Sequence, residues 1–228
     1  MKVSFCCPTL TEPYPQFLDA MRREVPVLDA AGIEHGMTFE VGCPYISHAR
    51  ATMLRRAMDE KPDVFVFLDH DLSWPAGELL KLIQTPGDVV CGTYRFKKDE
   101  EQYMGSWRTD DEKYPIQRDD GCIRGEWIPA GFLKVTAAAV ARIMEAYPEL
   151  VYGDKDRPAV DLFNHGAHEG IWFGEDYAFS RRWNDCGGEI WINPDLTLTH
   201  HRGDGRDFPG NFLGYLRRLP GGDLAEAA

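Results

Sequence analysis

Apolar residues in this chain fall into short continuous runs that alternate with helical stripes. Residues 2–7 form an apolar run stopped by Pro8-Thr9, which predicts a first strand. Residues 15–31 place Phe17, Met21, Val25 and Leu28 at helical spacing, and Pro26 is expected to kink or split that helix. A second strand is predicted over 37–41. It leads through Gly42 and Pro44 to a helix over 45–60, with Ile46, Ala49, Met53, Leu54 and Ala57 on one stripe and Ser47, His48, Arg50, Arg55 and Arg56 on the polar face. The most hydrophobic run follows, Asp63-Val-Phe-Val-Phe-Leu68, then a helix over 75–84 and a strand over 88–92. Alternation of this kind predicts βαβ units and a parallel sheet, with the 63–68 strand covered on both faces.

Beyond residue 92 the pattern changes to Gly, Asp and aromatic residues, which predicts an antiparallel or irregular half. A hairpin turn is expected at Asp120-Gly121. Thr136 reads as the N-cap of a helix to 147 with Val140, Ile143, Met144 and Tyr147 inward, and a loop is expected over 154–174. Gly174-Glu175-Asp176 opens a further helix ending near Gly187-Gly188, and 189–192 and 196–200 read as the last strands. The tail carries Phe208, Phe212, Tyr215, Leu216 and Leu219 at amphipathic spacing, suited to covering a site or joining a second copy.

At 228 residues the chain suits one α/β domain, divided here into residues 1–95, 96–203 and a tail of 204–228. A net charge of −12 argues against a broad nucleic-acid footprint, although a local basic channel is compatible with it. The first ten residues carry one Lys and a short apolar run ending at Pro8, too short for a signal or a membrane span, so a cytoplasmic protein is expected. Cys6, Cys7, Cys43, Cys91, Cys122 and Cys186 form no Cys-x-x-Cys pair and read as reduced thiols, without zinc or disulfides.

The candidate chemistry begins at Asp69-His70-Asp71, where the buried strand emerges. Open α/β sheets bind ligands at the carboxyl ends of their strands, and carboxylates there suit Mg²⁺ or Mn²⁺ with a phosphorylated ligand. Farther along come Gly174-Glu175-Asp176, then Asn193-Pro194 leading to His200-His201. Two acids in a first helical turn are also favoured by the helix dipole alone, and a His pair at a strand end is also a common surface feature.

Taken in this order, the three segments resemble nucleotide-sugar glycosyltransferases of the GT-A fold, over most of residues 1–203. Residues 90–94 and Ile128-Pro129-Ala130-Gly131-Phe132 also look like that family's segments. The resemblance implies a Rossmann-like, mostly parallel sheet with helices on both faces and a smaller antiparallel acceptor side. It implies Asp71 as a direct metal ligand and Asp69 as a ligand to the ribose, or to the metal through water. His200 would complete the metal shell, with His201 as its competitor. Asp176, with Glu175, would be the acceptor base if configuration inverts, or would position the acceptor if it is retained. Pro8 and Thr9 fall at the base-binding edge, and Arg50, one turn from Ser47, at a cation position near the nucleotide. His70, Lys97 and Arg202 join the donor side, with Arg206 a further diphosphate candidate. Gly131 and Trp172 fall on the acceptor side, Trp172 as a stacking face in a polar loop.

The expected function is therefore Mn²⁺- or Mg²⁺-dependent transfer from a UDP- or GDP-sugar to a glycan or other hydroxyl acceptor. A sugar-nucleotide-forming nucleotidyltransferase is disfavoured because 7–12 lack a Gly-rich basic loop. A non-catalytic glycan-binding module remains the third alternative.

Overall fold

A computed structural model describes residues 1–219 of the chain. Chain order gives β1 Lys2–Thr9, α1 Pro15–Ala30, β2 Glu34–Val41, α2 Ile46–Met58, β3 Val64–Leu68, β4 Leu72–Ser73, α3 Glu78–Gln84 and β5 Val89–Cys91. Then come β6 Ser106–Trp107, β7 Ile123–Trp127, β8 Phe132–Thr136, α4 Ala137–Ala146, β9 Val151–Gly153, β10 Pro158–Val160, β11 Gly166–His168 and β12 Ile171–Phe173. The chain continues through α5 Glu175–Asp185, β13 Ile190–Ile192, β14 Thr197–His201, β15 Asp207–Asn211 and α6 Phe212–Leu216.

The central sheet has eight strands in the order β2-β1-β3-β8-β5-β13-β7-β6. Pairing is parallel for β2-β1, β1-β3 and β5-β13 and antiparallel for the rest, so β8 and β7 run back against six strands that share one direction. This is the mostly parallel α/β sheet expected. Its second half is interleaved with the first: β8 lies between β3 and β5.

Strand alternation divides the core into two faces. Val3, Phe5 and Cys7 of β1 and Val64, Val66 and Leu68 of β3 meet Phe17 and Leu28 of α1 and Leu79 and Leu82 of α3. Cys6, Phe65 and Phe67 point the other way, toward Met53 of α2, Ile143 of α4 and Phe179 and Trp183 of α5. All six cysteines are free thiols, and four of them are buried. No helix among the described residues is long and apolar enough to cross a membrane.

Thr136 caps α4, its hydroxyl accepting the Ala139 amide at 3.2 Å, and Gly121 takes the left-handed conformation at the expected 120–121 turn. Four local expectations are corrected. Helix α1 runs unbroken through Pro26, because that residue lies on the exposed face where water can satisfy the carbonyl it leaves free. The helix expected from 75 starts at Glu78. Ser73 is instead in β4, and Gly77 has φ +96°, a conformation that suits glycine just before a helix. The loop expected over 154–174 contains β10, β11 and β12, whose three-residue lengths are below what periodicity can detect.

The tail is the fourth correction. β15 pairs with β14, and Phe208, Phe212 and Leu216 are buried against the chain's own core, with Phe212 5.0 Å from Tyr103 and 5.3 Å from Trp107 between ring centroids. Their amphipathic spacing is thus used inside the fold, leaving these side chains unable to join a second copy. The remainder of the tail, 220–228, lies outside the described residues.

Glu24 of α1 is fully buried, and its carboxylate accepts the Gly77 amide at 2.9 Å and the Leu80 amide at 3.0 Å, capping α3 from another helix. Glu24→Ala is expected to lower stability by about 2–3 kcal/mol, read from the urea midpoint, because two helix-start amides lose their acceptor. A loss below about 0.5 kcal/mol would show that the cap contributes little.

Candidate functional site

The carboxyl ends of β1 and β3 open on one edge of the sheet, and the start of antiparallel β8 meets them there. The Asp69 amide donates to the Gly131 carbonyl at 2.9 Å, which fixes the backbone beyond β3. A cleft of about 280 Å³ lies here, lined by Thr9, Cys43, Ile46, Arg50, Asp69, His70, Asp71 and Glu175 among others. Thr9 Oγ1 and His70 Nδ1 are both buried and make no hydrogen bond within the protein. The His70 ring is 5.2 Å from Tyr14, edge to face.

Arg50 ties the cleft together from below. Its polar-face position on α2 predicts a cation exposed to a nucleotide, yet it is 2% exposed. One guanidinium nitrogen donates to Asp176 Oδ1 at 2.8 Å and approaches Glu175 Oε1 at 3.5 Å, while the other donates to Asp69 Oδ1 at 3.1 Å. The guanidinium carbon sits 4.8 Å over the Phe163 ring. Burial alone would favour loss of the Arg50 proton, but the three carboxylates outweigh it and hold the charge firmly. Burial acts on Asp176 in the opposite sense to Arg50. Burial prevails with the help of the like charges of Glu175 and Asp69, and the Asp176 carboxyl is pushed up to about 6.

Asp69 is held on its other oxygen by the Tyr94 hydroxyl at 3.2 Å. Tyr94 is buried, and burial beside Asp69 keeps its phenol protonated as a donor. Gly131 closes this corner: a Cβ there would lie 2.3 Å from both Asp69 Oδ2 and the Tyr94 hydroxyl. Gly131 thus packs directly against the Asp69 carboxylate and the Tyr94 hydroxyl.

Asp71 lies in the turn that leads into β4, the edge of a separate small sheet. β14 pairs with β4, setting His200 opposite Leu72, and the His201 amide donates to the Asp71 carbonyl at 2.8 Å. His200 Nδ1 is 2.8 Å from the Arg95 carbonyl, which can only accept, so that nitrogen carries the proton. Its Nε2 then faces Asp71 Oδ2 at 3.5 Å. Lys97 also pairs with Asp71. Burial would raise the Asp71 pKa, but His200 and Lys97 outweigh it and keep this carboxyl ionised well below the usual range. His201 is engaged differently: it is buried, with Nε2 2.7 Å from Ser73 Oγ and Nδ1 2.6 Å from Asp207 Oδ1.

The donor set fits a hard divalent cation. A carboxylate and an imidazole whose other nitrogen is pinned by a carbonyl form the usual ligand and its support. Among the described residues no three His, Cys, Asp or Glu side chains converge as a metal cluster. Two protein ligands would therefore leave most of the coordination shell to substrate oxygens and water.

The other candidates fall as follows. Pro8 and Thr9 line the cleft, although β1 extends through both and ends at Thr9 rather than Cys7. Ser47 is buried in α2 outside the cleft lining. Arg202 sits in the exposed turn between β14 and β15 beside Asp204 at 3.4 Å, with Arg206 on the same aspartate at 3.0 Å. Trp172 stands on the β11–β12 hairpin and is 70% exposed. Tyr94 as a partner of Asp69, Phe163 beneath Arg50 and Cys43 in the cleft were not singled out for these positions. For Cys43 a signal existed, since it follows β2 directly and so lies on the same ligand-binding edge as Thr9.

No protein-family model and no curated protein matches the chain. Solved structures similar to it include a mutant Drosophila beta-1,4-galactosyltransferase 7 in complex with manganese, UDP-Gal and xylobiose. That structure is 12% identical with a TM-score of 0.46, covering 86% of this chain and 66% of that one. Another is a glycosyltransferase involved in glycosylation of the major capsid of PBCV-1, 10% identical with a TM-score of 0.32, covering 64% of this chain and 66% of that one. This chain thus spans just under two thirds of the length of each. Likenesses at this distance carry no chemistry.

Gly131→Ala is expected to cost about 1–3 kcal/mol in a thermal or urea melt, because the new methyl must displace Asp69 or Tyr94. Gly36, with nothing within 4 Å of a Cβ, is the control and should tolerate alanine. Equal tolerance at both positions would refute the tight packing described.

Proposed function

We propose that this protein is a glycosyltransferase of the GT-A type, moving a sugar from a UDP- or GDP-linked donor to a hydroxyl acceptor with Mn²⁺ or Mg²⁺. The observation that carries this reading is one buried guanidinium, Arg50, that bonds the strand-end Asp69 and the α5 Asp176 at 3.1 and 2.8 Å. A candidate cation-binding edge is thereby tied to a carboxylate of raised proton affinity that lies behind Arg50 and Glu175 of the cleft wall.

In this reading the nucleoside enters between the end of β1 and the 42–46 turn, where Thr9 Oγ1 and His70 Nδ1 provide hydrogen-bonding atoms that no protein group uses. Asp71 and His200 would hold the cation, and Asp69 is kept fixed by Arg50 and Tyr94 to orient the donor. When bound, the cation supplies Lewis-acid stabilisation of charge on the departing diphosphate. Lys97, already beside Asp71, adds positive charge on the same side. Asp176 takes the acceptor hydroxyl proton in an inverting transfer. Its pKa of about 6 leaves it ionised at neutral pH and able to accept that proton. Glu175, at the cleft wall, orients the acceptor.

Release of nucleoside diphosphate from a panel of nucleotide sugars with Mn²⁺ tests the activity itself. No turnover of any donor, with the nucleotide still bound, would favour the non-catalytic binding module. Asp176→Asn is expected to keep Mn²⁺-dependent nucleotide affinity while lowering transfer by about 10²–10⁴-fold, and near-normal transfer would remove the base assignment. Because the base works as the carboxylate, wild-type kcat/KM should rise with pH through about 6 and then level off. A flat profile from pH 5 to 8 would count against it.

The two histidines separate by readout. His200→Ala is expected to weaken Mn²⁺-dependent nucleotide binding in calorimetry with little change in stability. His201→Ala, which strips buried partners from Ser73 and Asp207, should instead cost about 1–3 kcal/mol in a melt. The reverse ranking for metal-dependent binding would transfer the ligand role to His201.

A further inference from the structure

A second cavity, of about 310 Å³, lies beyond the Gly174 turn from the cleft, between the β11–β12 hairpin and α5. Glu175 lines the first cavity, whereas Phe173 and Ala178 line the second, so the opening turn of α5 separates them. The second is walled by Arg181, Arg182, His165 and His168, an unusual concentration of basic groups in a chain of net charge −12.

Arg182 is the telling residue. It is 9% exposed, yet its guanidinium is bonded only to neutral acceptors, the Asn164 carbonyl at 2.7 Å and the Asn164 side-chain oxygen at 3.3 Å. It makes no ion pair among the described residues, in contrast to Arg50 with its three carboxylates. Burial, then the like charge of Arg181, lowers its hold on its proton, and the carboxylates of Asp161 and Glu149 only partly offset this. A buried cation without a counter-ion is costly unless an anion joins it. Arg181 adds a second guanidinium, which is anchored to Asp185 at 2.8 Å and lies 5.7 Å from the Phe173 ring centroid. Its Nε is buried without a partner. Glu149 is the one carboxylate of the lining, and it would repel an anion that approached from its side.

We propose that this cavity binds an anionic group, carboxylate or phosphate, carried by the acceptor. The assignment to the acceptor rests on the glycosyltransferase reading, while the anion site itself does not. Arg182 stands six residues after Asp176, about 9 Å along the helix, so a saccharide anchored there by its charge can present a hydroxyl toward the first turn of α5. Phe173 offers an apolar face beside the charge, as a sugar ring requires.

The test is calorimetry on the whole protein with three probes of the same ring: glucose, glucuronate and glucose 6-phosphate. One or both charged probes are expected to bind at least about tenfold more tightly than glucose, and which of them does so identifies carboxylate or phosphate as the recognised group. Arg182→Gln should abolish that preference. Since a change at a buried residue can impair folding, Arg181→Gln on the less buried neighbour provides the second variant, with a loss of about tenfold expected. In both variants UDP with Mn²⁺ should still bind, showing an intact donor cleft. Equal affinity for glucose and the charged sugars, or a preference that survives both substitutions, would overturn the proposal. Charged-sugar binding without turnover of any nucleotide sugar would sink the glycosyltransferase reading and leave the anion site standing. Turnover without charged-sugar binding would do the opposite.

Discussion

The site depends on a single buried positive charge. Arg50 is enclosed by α2, the end of β3, the start of α5 and the Phe163 ring, and it faces three carboxylates. Three acids this close would repel one another and spread apart without the guanidinium. Removing one partner of a buried ionic network typically costs about 3–5 kcal/mol, because the remaining charges stay buried and unpaired. The planar fork of arginine matters as well as its charge, since two of its nitrogens reach Asp69 and Asp176 in different directions. Lysine, a point charge, could hold one or the other.

The same arrangement distributes proton affinity. Asp69, Glu175 and Asp176 share one cation, so the most buried of them, Asp176, is pushed up. Asp71, a short step away, lies outside that network and answers instead to His200 and Lys97, which push it down. Neighbouring carboxylates are thereby given opposite proton affinities by environment alone. The low-lying one is suited to a cation at any physiological pH, and the raised one to receiving a proton.

The smaller sheet performs a comparable service for His200. β15, β14 and β4 make a three-stranded unit whose register places His200 against Leu72, one residue from Asp71. In an antiparallel pair a one-residue slip would turn His201 to that face instead. The register is secured by His201 itself, bonded to Ser73 and Asp207 on its two sides, and by the tail, whose Phe208 and Phe212 are buried. The tail therefore supports the edge that carries Asp71 and His200 from within the fold.

Much of the fold was legible in the sequence because it rests on local patterns. The buried run ending at Leu68, the Thr136 cap, the Asp120-Gly121 turn and the acidic start of α5 each depend on a few neighbouring residues. The strand-end position of Asp69 and Asp71 followed from the same logic. Tertiary structure decided what long-range contacts set. Glu24 capping a helix across 53 positions, β8 entering between β3 and β5, and Arg50 turning from a polar face into the centre of three acids leave no periodic trace. The choice between His200 and His201 as the side chain facing Asp71 is of this kind. Adjacent residues on a strand point to opposite faces, and only the partner strand determines which face meets the aspartate.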